Sequence, residues 1–335
     1  MEFYSYREKI ILRKLSEDAT ASLEELAQAA KCSRITASKI LDKLSEKLKI
    51  HFTVELEEEK IGITQKHIIV VKFKEKPGEE YLRKLLENDR VVSNAYLCDG
   101  DFDLIINARL NDAMLYTVWE SRFPGMLAEF EPKIYPSTHM LNNFGYLPIN
   151  PDQLTMSNLN EKDRLILAEL AKDSRTSLTE LSKRLGINRT TLNYRIYMLK
   201  KEGIIKRFTI AVNNPHKNYI LAFLANYVFA KDTPARSIRM MRYYQEYDKE
   251  LPLLNTFQLL APMSGSYRFL AIGLFDDEKD AIEHAINAHY EIFDKEHVAI
   301  KRARITGLLK GNYPFRNMDI VSNYRRAPWG APYTK

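Results

Sequence analysis

The sequence reads Ser22-Leu23-Glu24-Glu25-Leu26 near its start and Ser177-Leu178-Thr179-Glu180-Leu181 past its middle, and the two stretches open the same local structure. The correspondence runs from 17–44 to 172–199 at a constant offset of 155. It pairs Leu12 with Leu167, Leu15 with Leu170, Asp18 with Asp173, Arg34 with Arg189, Thr36 with Thr191 and Leu44 with Leu199. An internal repeat of this kind sets the fold before any single residue is weighed. In each copy a Ser followed three residues later by Glu predicts a capping box. Leu23, Leu26 and Ala30, like Leu178, Leu181 and Leu185, form an apolar stripe at helical spacing. Gly186 suits a left-handed helix stop, whereas the first copy has Lys31 there and is expected to turn differently. Ser33 and Asn188 then cap a further helix. With a preceding helix at 6–16 and 161–172, each copy is a helix-turn-helix.

The exposed face of the last helix is the surface a DNA groove would meet. In the second copy it offers Arg189, Thr190, Asn193, Tyr194, Arg195, Tyr197 and Lys201; in the first, Arg34, Thr36, Ser38 and Lys39. Such side chains hydrogen-bond base edges or phosphates. The net charge of +6 is uneven, with −3 over residues 1–150 and +9 over the remainder. The second copy is therefore the expected main anchor for double-stranded DNA. The acidic run Glu55–Glu59 is expected to be solvated and to repel phosphate.

Ile50–Val54 and Ile205–Ile210 alternate as strands and suggest a wing in each copy. Apolar runs at 67–74 and 219–230, helices at 79–88 and 235–248, a strand pair, helices at 112–122 and 277–293 and a last strand give β-α-β-β-α-β. The fold class is α+β: two winged helix-turn-helix domains alternating with two ferredoxin-like domains. The expected boundaries are 1–60, 66–147, a linker at 148–160, 161–214, 218–316 and a basic tail at 317–335.

Asp163-Arg164-Leu165-Ile166-Leu167, Asp173 to Leu181, Gly186-Ile187-Asn188-Arg189-Thr190-Thr191 and the exit Glu202-Gly203-Ile204-Ile205 resemble the DNA-binding domain of the Lrp/AsnC (feast/famine) regulators. Val91 to Leu104, with its turn Gly100-Asp101-Phe102-Asp103, resembles that family's effector (RAM) domain. The resemblance implies a cytoplasmic, nucleoid-associated transcription regulator answering to a small-molecule effector such as an amino acid. It departs from the family in holding two unequal copies of each module, so one chain would imitate a dimer and prefer an asymmetric operator unless two chains associate. The turn's counterpart, Gly265-Ser266-Tyr267-Arg268, is neutral to basic. Either the second copy has lost its effector, or the two turns face each other as opposite charges, or the turn has drifted. Two alternatives accompany the regulator reading. Siroheme decarboxylases resemble Lrp/AsnC proteins and pair unequal subunits, which suits a fused unequal pair; a ligand sensor or architectural protein with a degenerate head is the other.

Two cysteines, Cys32 and Cys98, without metal-ligand spacing argue against a disulfide framework or structural zinc. No apolar run is long enough for a membrane span, and the first residues do not read as a signal peptide. No phosphate loop, HExxH or nucleophile elbow is present, and the seven histidines are scattered. The expectation is a protein without catalytic residues, metal or cofactor.

Overall fold

The computed structural model describes residues 4–136, 138–140, 147–214, 219–227, 257–265, 267–293 and 295–314. The helix expected at 235–248, the tail at 317–335 and Ser266 lie outside the described residues. In chain order the helices and strands are α1 (Tyr6–Glu17), α2 (Leu23–Ala29), α3 (Arg34–Leu48), β1 (Ile50–Leu56), β2 (Gln65–Lys72), α4 (Glu79–Glu87), β3 (Val92–Gly100), β4 (Leu104–Leu110) and α5 (Ala113–Met126). There follow β5 (Lys133–Ile134), β6 (Thr138–Met140), α6 (Glu161–Lys172), α7 (Leu178–Leu185), α8 (Arg189–Lys201), β7 (Ile205–Val212), β8 (Tyr219–Tyr227), β9 (Phe257–Ser264) and β10 (Phe269–Phe275). A helical run at 278–293, whose middle, Ile282–Asn287, is π-helical, leads to β11 (Val298–Lys310).

Local chemistry starts each helix of the two heads. Ser5, Ser22 and Ser33 accept the amides of Glu8, Glu25 and Thr36, while Asn160, Ser177 and Asn188 do the same for α6, α7 and α8. The box expected at Ser177 is only half made, because Glu180 turns to Arg184 instead of reaching back. The turn before α3, expected to be built differently, is built the same way: Lys31 takes the left-handed conformation at φ 48°, as Gly186 does at φ 62°. For a residue with a Cβ that conformation costs about 1 kcal/mol.

The strands expected as wings, β1 and β7, pair with each other, antiparallel, with Thr53 opposite Thr209. About that pair the contacts repeat. Thr53 donates to the Ala171 carbonyl at 2.9 Å and Thr209 to the Ser16 carbonyl at 2.8 Å. The Ser174 amide reaches the Phe52 carbonyl and the Ala19 amide the Phe208 carbonyl, both at 3.0 Å. A single apolar core runs through both heads and this hinge ribbon, from Ile11, Leu15 and Leu44 to Leu167, Leu192 and Ile210.

The remaining strands form one sheet ordered β4-β3-β11-β8-β10-β9-β6-β2-β5, and β4 also pairs with β2, so the sheet closes on itself. The seams between the first and second parts of the chain are β3–β11 and β6–β9. Ile68, Val70, Ile105, Ile220, Leu270 and Ile305 fill the interior, and helices cover the outer faces. The fold is therefore α+β. Segment 148–160, expected to lack regular structure, holds a 3-10 turn, Pro151–Met156, with Gln153 and Leu154 buried.

Candidate nucleic-acid interface

Helix α8 buries Leu192 and Leu199 and turns Arg189, Thr190, Asn193, Tyr194, Tyr197 and Lys201 to solvent. Two aromatic rings this open, Tyr194 at 62% and Tyr197 at 57% exposure, are unusual on a helix whose apolar face is already used. Asn188 fixes the helix start by accepting the Thr190 amide at 2.8 Å, and the Ser182 hydroxyl holds the preceding turn through the Ile187 carbonyl at 2.7 Å. The uncapped amides of the first turn lie at the same helix end as the exposed Arg189, which suits a phosphate. Arg195 is not part of this surface. Its guanidinium lies 2.9 Å from the Asp163 carboxylate and also meets Asn160, tying α8 to the start of α6.

The corresponding helix α3 is poorer. Arg34 and Lys39 are exposed, but Ser38 is half-buried and Thr36 spends its hydroxyl on the Ser33 cap at 2.9 Å. Ile35, 71% exposed, stands where α8 carries Thr190. Lys43 is drawn to Glu8 at 2.8 Å and Lys47 lies over the Tyr4 ring. Burial pushes the Glu8 carboxyl up, but bonds from Lys43 and Ser5 outweigh it and hold it below the ordinary range.

The acidic run is solvated only at its end, at Glu59. Glu55 is buried against Arg207 at 2.6 Å, Glu57 meets Lys206 at 3.0 Å, and Glu58 meets the fully buried Arg109 at 3.0 Å and Lys66 at 3.4 Å. These carboxylates neutralise basic residues of the hinge and the sheet and leave α8 untouched. The two sheet turns lie close enough for Asp101 to act on Tyr267, but their charges are engaged elsewhere. Asp103 is held by Lys72 at 3.0 Å and by the Phe73 amide, Asp101 accepts the Arg302 amide, and Arg268 is exposed. Gly100, at φ 143°, lies so close to Arg302 and Ala303 that no side chain fits, while Gly265 repeats the conformation at φ 144°.

One cluster was invisible in the sequence. His67 stacks on Tyr116 at 3.6 Å, with His139 edge-on at 5.2 Å. Burial, and then the neighbouring His139, lower the His67 pKa to about 4. The three sit on different elements with no shared spacing, so only strand pairing could bring them together. Among the described residues no group of three or more His, Cys, Asp or Glu forms a metal site, and no helix is long and apolar enough to cross a membrane.

A family model described as winged helix-turn-helix DNA-binding matches residues 159–206. The chain carries a winged helix-turn-helix DNA-binding domain. No protein of curated function matches the sequence. Among solved structures, the siroheme decarboxylase NirDL is similar across the molecule, with TM-score 0.58 and 15% identity over 96% of this chain and 97% of that one. The same enzyme in co-complex with an iron-uroporphyrin III analogue gives TM-score 0.57 at the same identity and coverage. Lrp/AsnC-type neighbours match only part of the chain: the Mycobacterium tuberculosis leucine response regulatory protein LrpA is 18% identical over 42% of this chain and 93% of its own, TM-score 0.35. The expectation that the protein is not an enzyme is overturned, because the whole-chain likeness is to an enzyme and catalysis is possible on this architecture.

Proposed function

We propose that the chain is a sequence-specific DNA-binding regulator in which two duplicated halves act as an intramolecular pseudo-dimer, with α8 as the principal reading helix. The observation that carries this is the exposed polar and aromatic face of α8 within the segment that matches a DNA-binding family. The hinge ribbon supports the pseudo-dimer, since Thr53 and Thr209 sit opposite each other and make equivalent bonds. Operator symmetry follows protein symmetry, so unequal reading helices ask for an unequal pair of half-sites. Selection from random duplex DNA across a salt series tests it: a recovered motif with steep salt dependence supports the reading, and no enrichment sinks it.

A second reading is favoured by the full-length likeness to NirDL: an enzyme acting on a tetrapyrrole carboxylate. Decarboxylation replaces a carboxylate by hydrogen and needs a proton delivered to carbon. The His67–Tyr116–His139 cluster is the candidate proton relay for that reading. Titration with an iron tetrapyrrole, followed by its visible absorption band, separates the two. A saturable band shift, with release of CO2 that His67→Gln slows while the shift persists, supports the enzyme; an unchanged spectrum removes it.

A further inference from the structure

A row of side chains crosses the inner face of the closed sheet in direct register: Asn94 opposite Asn107, Asn107 opposite Ile68, Ile68 opposite Thr138. The matching row in the second part is Leu259, Ile272, Ala222 and Ala303. One row is apolar and buried throughout. The other buries three polar residues at 1% exposure or less and leaves Asn94 Oδ1, both amide atoms of Asn107 and Thr138 Oγ1 without partners. Each such atom costs about 1–3 kcal/mol relative to a satisfied one, so polar residues kept here and absent from the equivalent row call for an occupant.

One end of the row abuts the wall of a cavity that its own side chains do not line. Asn94 donates to the Asn312 carbonyl at 3.1 Å, and Asn312 is also a wall of a space of about 310 Å³ between hinge ribbon and sheet. Ser93, at a bulge of β3, lines the same space, and its hydroxyl, buried in that wall, has no partner. Gly311 beside it has φ 77°, and a Cβ there would strike Asn94 and the Ser93 carbonyl, so the backbone is drawn in tightly. Further walls are His51 of β1, Lys172 at the end of α6, Asn150 and Asn213. Among the described residues, none of those lining it is acidic. His51 Nε2 lies 2.8 Å from the Ala171 carbonyl, so that nitrogen carries the proton. Lys172 is paired only with Glu169 at the surface, a weak competitor for its charge.

We propose that this cavity binds a small organic dicarboxylate, with Lys172 meeting one carboxylate, the Ser93 hydroxyl rotating out of the wall to meet the other, and Asn150 and Asn213 its remaining polar atoms. The site touches β1, α6 and the sheet together, so a ligand that prefers one placement of these elements shifts their arrangement. That regulatory consequence rests on the DNA reading; the binding does not.

Calorimetric titration of the full chain, without DNA, with succinate, 2-oxoglutarate and malate, and with sulfate and phosphate as inorganic comparators, tests it. The expected result is a dissociation constant below about 1 mM for at least one dicarboxylate, weakened about tenfold by Lys172→Gln and measurably by Ser93→Ala. Ser93→Ala removes only an unpartnered hydroxyl and leaves the fold intact. No binding at about 10 mM, equal binding of sulfate, or affinity unchanged in both variants overturns the proposal. Dicarboxylate binding by a chain that retains no DNA supports the site while sinking the regulator reading.

Discussion

Arg189 and Arg195 lie on one helix and do different work. Arg189 is exposed at the helix start, whereas Arg195 is held by Asp163 across to α6. Arg189→Ala should weaken specific DNA binding by about 1–3 kcal/mol and leave the melting temperature in place. Arg195→Ala should instead lower stability by up to about 1 kcal/mol, as loss of a half-exposed pair does. Side-by-side thermal melts and DNA titrations check both, and a melting loss at Arg189 would reverse the assignment. Asn107 makes the opposite kind of prediction. Asn107→Ile installs the residue its counterpart position already holds, removes two unpartnered buried atoms, and should raise stability by about 1–2 kcal/mol in denaturant titration. A destabilised variant would mean the amide is already satisfied. His289 sets a pH dependence. Burial lowers its pKa to about 3, so the unfolded chain takes up a proton below about pH 6.5 that the folded chain refuses. Stability therefore falls as pH drops from 6.5 toward 3, by about 2 kcal/mol at pH 5 from this group. His289→Phe, between Phe223 and Phe269, should flatten the stability curve between pH 5 and 7; an unchanged slope would place the proton elsewhere.

At the scale of elements, the seam β3–β11 depends on one close approach. A Cβ at Gly100 would fall 2.7 Å from the Arg302 carbonyl oxygen and 2.8 Å from the Ala303 Cα, both backbone. Gly100→Ala should thus cost more than about 2 kcal/mol, since neither strand can yield without losing its ladder. Denaturant unfolding measures it, and a loss below about 0.5 kcal/mol would mean the seam is slack. What the sequence made legible was local: Ser22, Ser33, Ser177 and Asn188 announce helix starts because a cap lies within three residues of its partner. What it concealed was register. Alternation in 50–54 and 205–210 marks strands but does not say that they pair with each other. Likewise Glu55 looks solvated until Arg207 stands across the ribbon from it. His67, Tyr116 and His139 meet only because β2 and β6 pair and α5 covers that sheet.

For the whole molecule the open quantity is how many reading heads touch DNA at once, and electrostatics makes it measurable. Each phosphate neutralised by a protein cation releases condensed counterions, contributing about −0.9 to the slope of log K against log salt on duplex DNA. The second head offers Arg189 and Lys201 on an open face; the first offers Arg34 and Lys39, with Lys43 drawn to Glu8 and Lys47 set over Tyr4. The shared core and the β1–β7 ribbon join the heads, so they cannot dock independently. If both engage, Lys39→Ala and Lys201→Ala should each flatten the slope by about one unit. If the exposed Ile35 marks a silent first head, Lys201→Ala alone should do so, and Lys39→Ala should leave both slope and affinity in place. We expect the second pattern on a single half-site. The slope should steepen on a two-half-site duplex only if Arg34 and Lys39 reach the second groove. Equal flattening by both variants on the short duplex would show that the first head binds as strongly as the second and would overturn the ranking of the two.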